Sequence, residues 1–258
     1  MIPWGSIWAL AFNTVRESVR NRVLYGLLFF SIAMIASGVI VSSLSYVEGA
    51  RILQDVGLAS IRLFGVAIAI FLGIHLIHKE VDRRTVFTIL SKPISRGTFL
   101  VGKFAGLTLT VWLQTAIMGT AFVLVSLAAG APVGFAHAAF LMLVAAELAL
   151  VTAVATFFSA FTTPFLAAFF TAGTWAVGQL TRELRDIGQT SELASMEWMT
   201  WLVHRVLPDL AGFDLSVEAA HMLPIATSDV VLPLFYGVGY ITVVMICAVG
   251  VFERRDFR

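Results

Sequence analysis

Six long apolar runs, separated by polar stretches, set the main constraint on how this chain can fold. About 20 apolar residues are needed for a helix to cross the hydrocarbon core of a bilayer. The runs cover residues 23–44, 61–77, 99–129, 138–161, 164–180 and 230–252. We therefore predict an all-α integral membrane protein with six transmembrane helices, which form a single domain over residues 1–258.

The overall composition supports this class and excludes others. Hydrophobic residues make up 59% of the 258 residues and charged residues only 13%, which is more apolar side chain than a soluble domain of this length can bury. The net charge of +1 gives no reason to expect nucleic acid as a partner. The single cysteine, Cys247, excludes a disulfide framework and a Cys-based metal site.

The first 22 residues have the pattern of an amphipathic helix that lies on a membrane surface. The apolar positions recur at helical spacing, and the polar positions fall on the opposite face. The apolar set is Trp4, Ile7, Trp8, Ala11, Phe12, Val15 and Val19, and the polar set is Asn13, Arg16, Glu17 and Arg20. We predict an interfacial helix over residues 1–22.

A polar island separates the second and third apolar runs. Residues 80–90 combine good helix formers with apolar residues at Val81, Val86, Phe87 and Leu90, and Pro93 follows shortly after. We predict a charged helix there, within a region of residues 80–96 that is suited to receive force from a soluble motor.

The distribution of positive charge predicts the orientation in the membrane. With six spans, both termini lie on one side, and that side carries twelve of the 17 Lys and Arg residues. Because cytoplasmic loops carry the excess of positive charge, we predict that both termini are cytoplasmic. The five residues assigned to the outer side are Arg51, Arg62, Arg182, Arg185 and Arg205.

The longest segment between predicted spans covers residues 181–228. It is acidic and contains a helical stripe at Met196, Met199, Val203 and Val206, which Pro208 ends. We predict an extracytoplasmic segment of short, half-buried helices.

Glu147 is the only acidic residue deep inside a predicted span. A charge at that depth costs at least about 2.5 kcal/mol, which makes the residue a candidate functional group. The alternative is a structural role, in which Glu147 joins helices by hydrogen bonds to Gln114 or Thr115 of the third span. The structural role is the preferred interpretation.

Residues 97–104, Gly-Thr-Phe-Leu-Val-Gly-Lys-Phe, nearly match a phosphate-binding loop. Phe104 stands where the hydroxyl residue that holds magnesium would be needed, and no strand precedes the match. We therefore predict that this chain has no ATP site and no cofactor of its own, and we find no catalytic or zinc-binding motif.

Small residues recur at helix-packing spacing in two of the spans. Gly102 and Gly106 lie in the third, and the fifth carries a small face formed by Ala168, Ala172, Gly173 and Ala176. Close helix packing within the chain and a seam between two copies both fit this pattern.

Taken together, these stretches resemble the permease subunits of ABC-2 type ABC transporters over essentially the whole chain. The motifs that carry the resemblance are residues 16–22, residues 80–96 with Gly102-Lys103, Glu147 followed by Phe158-Ser159, Leu207-Pro208-Asp209 and residues 252–257.

The resemblance implies a multi-pass protein of a bacterial inner membrane with an elbow helix, a coupling helix and short re-entrant helices before span six. It also implies a second permease copy, as a homodimer or heterodimer, and two ATP-binding subunits that carry ATP and Mg²⁺. Membrane lipid surrounds such a subunit, and the long outer segment leaves room for an outer-face accessory protein. The residues that would contact the ATPase are Glu80, Asp82, Arg83, Arg84, Thr85, Phe87 and Arg96.

We expect the membrane subunit of an ATP-driven exporter or mechanical transducer, not an enzyme in itself. Two alternatives remain at this point. One is a proton-coupled carrier or channel that uses Glu147, and the other is a membrane scaffold that transports nothing.

Overall fold

The structure, a computed structural model, describes residues 4–45, 48–82, 95–181, 183 and 207–254, and every regular element within these residues is helical. The elements in chain order are α1 (Trp4–Val19), α2 (Arg22–Ser42), α3 (Gly49–Asp82), α4 (Arg96–Ala128), α5 (Phe135–Ser159), α6 (Pro164–Gln179), a 3₁₀ turn (Ala211–Phe213), α7 (Ser216–Ala220) and α8 (Thr227–Arg254).

Of the helices in the described part of the chain, five are long and apolar enough to cross a bilayer: α2, α3 as far as His75, α4, α5 and α8. They correspond to the predicted spans one to four and six. The fifth predicted run forms α6, whose 16 residues extend about 24 Å, less than the roughly 30 Å of a hydrocarbon core. The prediction of an all-helical membrane protein is confirmed, whereas a sixth span stays a prediction.

The polar stretch between the first two predicted runs, which reads as a short loop marked by Glu48, Arg51 and Asp55, is mostly helical. α3 begins at Gly49, about three turns before the predicted start of span two, and it contains Arg51 and Asp55. Leu53 and Leu58 are buried against neighbouring helices, and the Gln54 amide donates to the Pro132 carbonyl at 2.6 Å. Charged residues therefore occupy the first turns of a packed helix and do not interrupt it.

α5 lies at the centre of the bundle, where it packs against α3, α4, α6 and α8. Two glycines bring α3 close to it: a Cβ atom added at Gly65 would lie 2.7 Å from Cδ1 of Leu148, and one at Gly73 would lie 2.6 Å from Cβ of Ala155. Since residue number increases along both helices in these contacts, α3 and α5 run parallel. This register places the middle of α3 beside the middle of α5.

Helix α1 packs across α4 at the two glycines that the sequence singled out. A Cβ atom at Gly102 would lie 2.8 Å from Cβ of Leu10, and one at Gly106 would lie 2.5 Å from the Ala11 carbonyl oxygen. Of the two interpretations of this pair, packing within the chain is therefore the one observed. Only part of the predicted apolar face of α1 packs against the bundle. Ala11 is buried, whereas Trp4, Trp8 and Phe12 are exposed.

The described part of the segment before α8 contains two short helical elements, the 3₁₀ turn and α7. Their depth relative to the membrane stays a prediction. Leu210 and Phe213 are fully buried, and the Leu210 N–H donates to the carbonyl of Gly178 at 2.9 Å. α7 packs against α3 and α5. The predicted stripe from Met196 to Val206 lies outside the described residues.

The close contact at Gly106 yields a stability prediction. We expect Gly106→Ala to lower the free energy of unfolding by about 1–3 kcal/mol, because the added methyl group meets the backbone of α1. Gly239→Ala, in α8, is the matched control, since a Cβ atom there has no neighbour within 4 Å and alanine favours a helix by up to about 1 kcal/mol. Thermal unfolding in detergent micelles measures both, and equal effects would contradict the packing described.

Candidate functional site

Arg62 is the residue around which the main polar cluster of the bundle is built. The sequence assigned Arg62 to the outer side of the membrane, next to the start of the run 61–77, but α3 begins so much earlier that Arg62 lies about 20 Å into the helix. Only 12% of its side chain is exposed. An arginine so placed must find acceptors within the protein, because an unpaired buried charge is very costly.

Glu147 of α5 supplies the first acceptor. Its residue is fully buried, and Arg62 Nε donates to Oε2 at 2.9 Å. The other oxygen, Oε1, accepts hydrogen bonds from Trp175 Nε1 at 2.9 Å and from Gln179 Nε2 at 2.7 Å. Both carboxylate oxygens are therefore occupied by donors from α3 and α6.

The remaining donors of Arg62 reach α6 and the segment that precedes α7. Nη2 donates to Gln179 Oε1 at 2.8 Å and also lies 3.4 Å from the Leu210 carbonyl, while Nη1 pairs with the Asp214 carboxylate. One guanidinium thus joins α3 to α5, α6 and residues 210–214. We call the group Arg62, Glu147, Trp175, Gln179 and Asp214 the Arg62 cluster.

Asp214 lies outside the spanning helices and is partly exposed. Burial raises the pKa of this carboxyl, but the Arg62 guanidinium and hydrogen bonds from Ser216 outweigh burial and hold the pKa below its ordinary value. The Ser216 N–H donates to Asp214 Oδ1 at 2.9 Å. Asp214 is therefore ionised at neutral pH, and its pairing with Arg62 is lost only when the pH falls through that lowered pKa.

The partners that the sequence suggested for Glu147 are different from those observed. The Thr115 hydroxyl donates to the carbonyl of Val111 at 2.9 Å. Gln114 is buried, and its Oε1 has no hydrogen-bond partner among the described residues. Glu147 does join helices in this structure, but through α3 and α6 and not through α4.

The sequence reasoning identified Glu147 and missed Arg62, Trp175, Gln179 and Asp214. Arg62 could have been identified from the sequence as a candidate, because it is a lone cation between apolar residues of α3. Trp175 and Gln179 lie four residues apart near the end of α6 and so share one face of that helix. Nothing in the sequence of residues 181–228 distinguishes Asp214 from the other acids of that segment.

Most of the residues predicted to contact an ATPase lie outside the described residues, namely Arg83, Arg84, Thr85 and Phe87. The backbones of Glu80 and Asp82 belong to the last turn of α3, so α3 continues into the predicted coupling region. Arg96 begins α4, and its guanidinium donates to the Glu253 carbonyl at 3.2 Å.

The stretch that resembles a phosphate-binding loop is part of a helix. Residues 97–104 all lie in α4, so they form no loop of backbone N–H groups around an anion. Lys103 is buried with its Nζ 3.6 Å from the Glu17 carboxylate of α1. Among the described residues there is also no group of three or more His, Cys, Asp and Glu side chains placed to hold a metal ion.

The Arg62 cluster predicts the effect of changing Glu147. We expect Glu147→Leu to lower the free energy of unfolding by about 3–5 kcal/mol, because it leaves a buried guanidinium without its buried partner. Glu147→Gln is milder but still destabilising, because the single amide oxygen can accept either from Arg62 or from Trp175 and Gln179. The NH2 group of the amide then faces the donor on the other side. Thermal unfolding of the purified protein measures both.

The matched control is a double-mutant cycle with Arg62→Leu. If the two residues form the buried pair described, the double variant loses less stability than the two single losses add up to. Additive losses would contradict the pairing.

Comparison with known proteins identifies a family whose match includes four of the five residues of the Arg62 cluster. The profile of the ABC-2 family of transporter proteins matches residues 8–182, which is more than half of the chain and runs from α1 through α6. A comparison with curated proteins finds no match. The resemblance noted in the sequence is thereby confirmed, and the chain belongs to the ABC-2 family of transporter proteins as a multi-pass membrane permease component.

Proposed function

We propose that this chain is the membrane subunit of an ATP-driven exporter or mechanical transducer, and that a separate ATP-binding subunit supplies the force. Two copies of each subunit make up the proposed assembly, and ATP and Mg²⁺ bind the partner. Membership of the ABC-2 family supports this arrangement.

The observation that carries the proposal is the unbroken course of α3. The helix runs from Gly49 to Asp82, so about 30 Å of continuous helix separates Arg62 from the residues at its end. A helix is stiff over that distance because each turn is hydrogen-bonded to the next. A push on residues 80–96 is therefore transmitted along α3 to the Arg62 cluster.

Contacts at the same end of the bundle would distribute such a push. Arg96 ties the start of α4 to the end of α8, and Lys103 ties α4 to α1. The Phe99 and Phe252 rings also stack there, with centroids 6.2 Å apart. Movement of the segment between α3 and α4 would accordingly involve α1 and α8 as well.

The competing hypothesis of a proton-coupled carrier depends on Glu147. A carboxyl that carries protons needs access to a proton donor. Its surroundings must also accept both the charged and the neutral form of the group. Glu147 is fully buried, and three N–H groups donate to its carboxylate, one of them from a guanidinium. These donors favour a structural role for Glu147, which supports the ATP-driven function over the carrier.

The small face of α6 supports pairing of two copies. Ala172, Gly173 and Ala176 are exposed in the single chain, and a Cβ atom at Gly173 would have no neighbour within 4 Å. Exposed small residues let two helices approach closely in a membrane. We assign this face to the contact between the two permease copies.

The proposed topology has six spans with both termini in the cytoplasm of a bacterial cell and residues 181–228 outside. We expect tags at Met1 and Arg258 to be accessible only from the cytoplasm, and a cysteine at Glu192 only from outside, in a Cys247→Ser background. Cys247 must be removed because it is the only native cysteine and is exposed. Labelling of position 192 from the cytoplasmic face would contradict this topology.

The coupling region yields the test of function. We expect Arg83→Glu with Arg84→Glu to abolish co-purification with the ATP-binding subunit, or to stop transport-linked ATP hydrolysis, while the permease remains folded. The two arginines belong to a polar stretch outside the apolar runs, where charges usually contribute little to stability, so the fold should survive. Co-purification and ATP hydrolysis in reconstituted vesicles are the two measurements.

Arg51→Glu is the matched control, since Arg51 is exposed and lies at the opposite end of α3. It should leave both measurements unchanged. A double variant at 83 and 84 with normal ATPase binding and activity would refute the role of this region, and a purified chain that never retains an ATPase would refute the function.

A further inference from the structure

A polar cavity of about 730 Å³ lies where the end of α1, the start of α2 and the later part of α3 meet. Three arginines, Arg16, Arg20 and Arg22, line it together with Glu17 and His75. Arg16 and Arg20 lie about one helical turn apart at the end of α1, and Arg22 is the first residue of α2. We call this space the basic cavity.

The arginines of the basic cavity lack acceptors. In the part of the chain that the structure describes, none of the three guanidinium groups has a hydrogen-bond or ion-pair partner, and all three residues are exposed. The Glu17 carboxylate, which also lines the cavity, lies 3.6 Å from Nζ of Lys103. Because positive charges gathered around one space repel one another, an anion bound between them would be stabilised.

The helices that meet at the basic cavity place it at the ends of two membrane spans. The apolar part of α2 begins at Arg22, and the apolar part of α3 ends at His75. Both residues line the cavity, so it lies at the level where two spans leave the hydrocarbon core. Phospholipid headgroups occupy that level, and basic pockets between spanning helices are suited to anionic headgroups.

The surface of α2 that leads away from the basic cavity is apolar. Arg22, Tyr25 and Phe29 follow one another at spacings of three and four residues and therefore share one face of the helix. Tyr25 is 52% exposed and Phe29 is 67% exposed. A phosphate group held at Arg22 would place an acyl chain along these two rings. Since a free phosphate ion would make no use of this apolar face, a lipid matches the surface better than a soluble anion does.

We propose that the basic cavity binds the phosphate group of one anionic phospholipid, whose acyl chain lies along Tyr25 and Phe29. Arg16, Arg20 and Arg22 donate to the phosphate oxygens, since the planar fork of a guanidinium matches the geometry of phosphate. An anionic lipid is preferred over a zwitterionic one, because the zwitterionic headgroup carries its own cation. This inference depends on α2 and α3 crossing the membrane and is independent of the proposed ATP-driven function.

The first test compares phosphatidylglycerol with phosphatidylethanolamine of the same acyl chains. The purified protein, together with any partner subunits that remain bound, is exchanged into micelles that contain equal amounts of both lipids, and native mass spectrometry counts the retained lipid. We expect one retained phosphatidylglycerol and a preference of about tenfold, which the attraction of three arginines is sufficient to produce. Equal retention of both lipids would overturn the proposal.

Arginine variants test whether this preference comes from the cavity. Arg20→Gln should lower it about threefold, and the triple variant Arg16→Gln, Arg20→Gln, Arg22→Gln should remove it. Arg254→Gln is the matched control, because Arg254 is exposed at the same end of the bundle and does not line the cavity. Equal losses in Arg20→Gln and Arg254→Gln would indicate a general attraction of basic residues to the membrane surface and would overturn the site.

A competition experiment identifies the source of the phosphate group. An excess of inorganic phosphate should displace no more phosphatidylglycerol than chloride does at the same ionic strength, since phosphate lacks the acyl chain. Displacement by phosphate alone would assign the cavity to a soluble anion and would overturn its assignment to a lipid.

Photo-crosslinking tests the site with its arginines intact. A photo-reactive side chain at Tyr25 should capture phosphatidylglycerol in preference to phosphatidylethanolamine. At Ile40, which is 71% exposed near the other end of α2, the same side chain should capture both lipids equally. Capture of a protein chain at Tyr25 in place of lipid, whether an ATP-binding subunit or a second permease copy, would show that this face is a protein interface and would refute the lipid site.

Discussion

The Arg62 guanidinium is the group on which the arrangement of this bundle depends. A cation among apolar helices is unfavourable by several kcal/mol unless acceptors surround it. Here Glu147, Gln179 and Asp214 accept its hydrogen bonds, and they come from α5, from α6 and from the segment before α7. Elements that are far apart in the sequence must therefore stay in place for the charge to be satisfied.

The close packing of α3 on α5 makes this arrangement possible. Gly65 and Gly73 contribute no side chain of their own to the contact with α5, and the parallel register that they allow brings Arg62 beside Glu147. Because α3 is a single helix as far as Asp82, the same element carries the cluster in its first half and leads into the charged segment at its end. Packing, electrostatics and the proposed transmission of force thus depend on one helix.

The sequence predicted much of the fold because hydrocarbon imposes a length on apolar runs. The ends of α2, α4, α5, α6 and α8 fall within a few residues of the predicted limits. The start of α3 was missed because charged residues such as Arg51 and Asp55 are typical of a loop between two spans. A helix can nevertheless contain such residues in turns that extend beyond the apolar core. Glu147 was identifiable as a lone acid in an apolar run. Its partners were not, because spacing along the chain does not reveal which helices face each other, and Asp214 is more than 60 residues from Glu147.

The two acids that neutralise Arg62 hold it with different strength. Glu147 is fully buried, so its attraction to the guanidinium acts in a medium of low dielectric constant, and two further donors fix its position. The side chain of Asp214 is 35% exposed, and water screens its attraction to the same cation. If the bundle rearranges, the pair between α3 and α5 is therefore the part that persists, and the contact with residues 210–214 is the part that separates first. The cluster therefore combines a strong junction between two spanning helices with a weaker junction to the segment beside them.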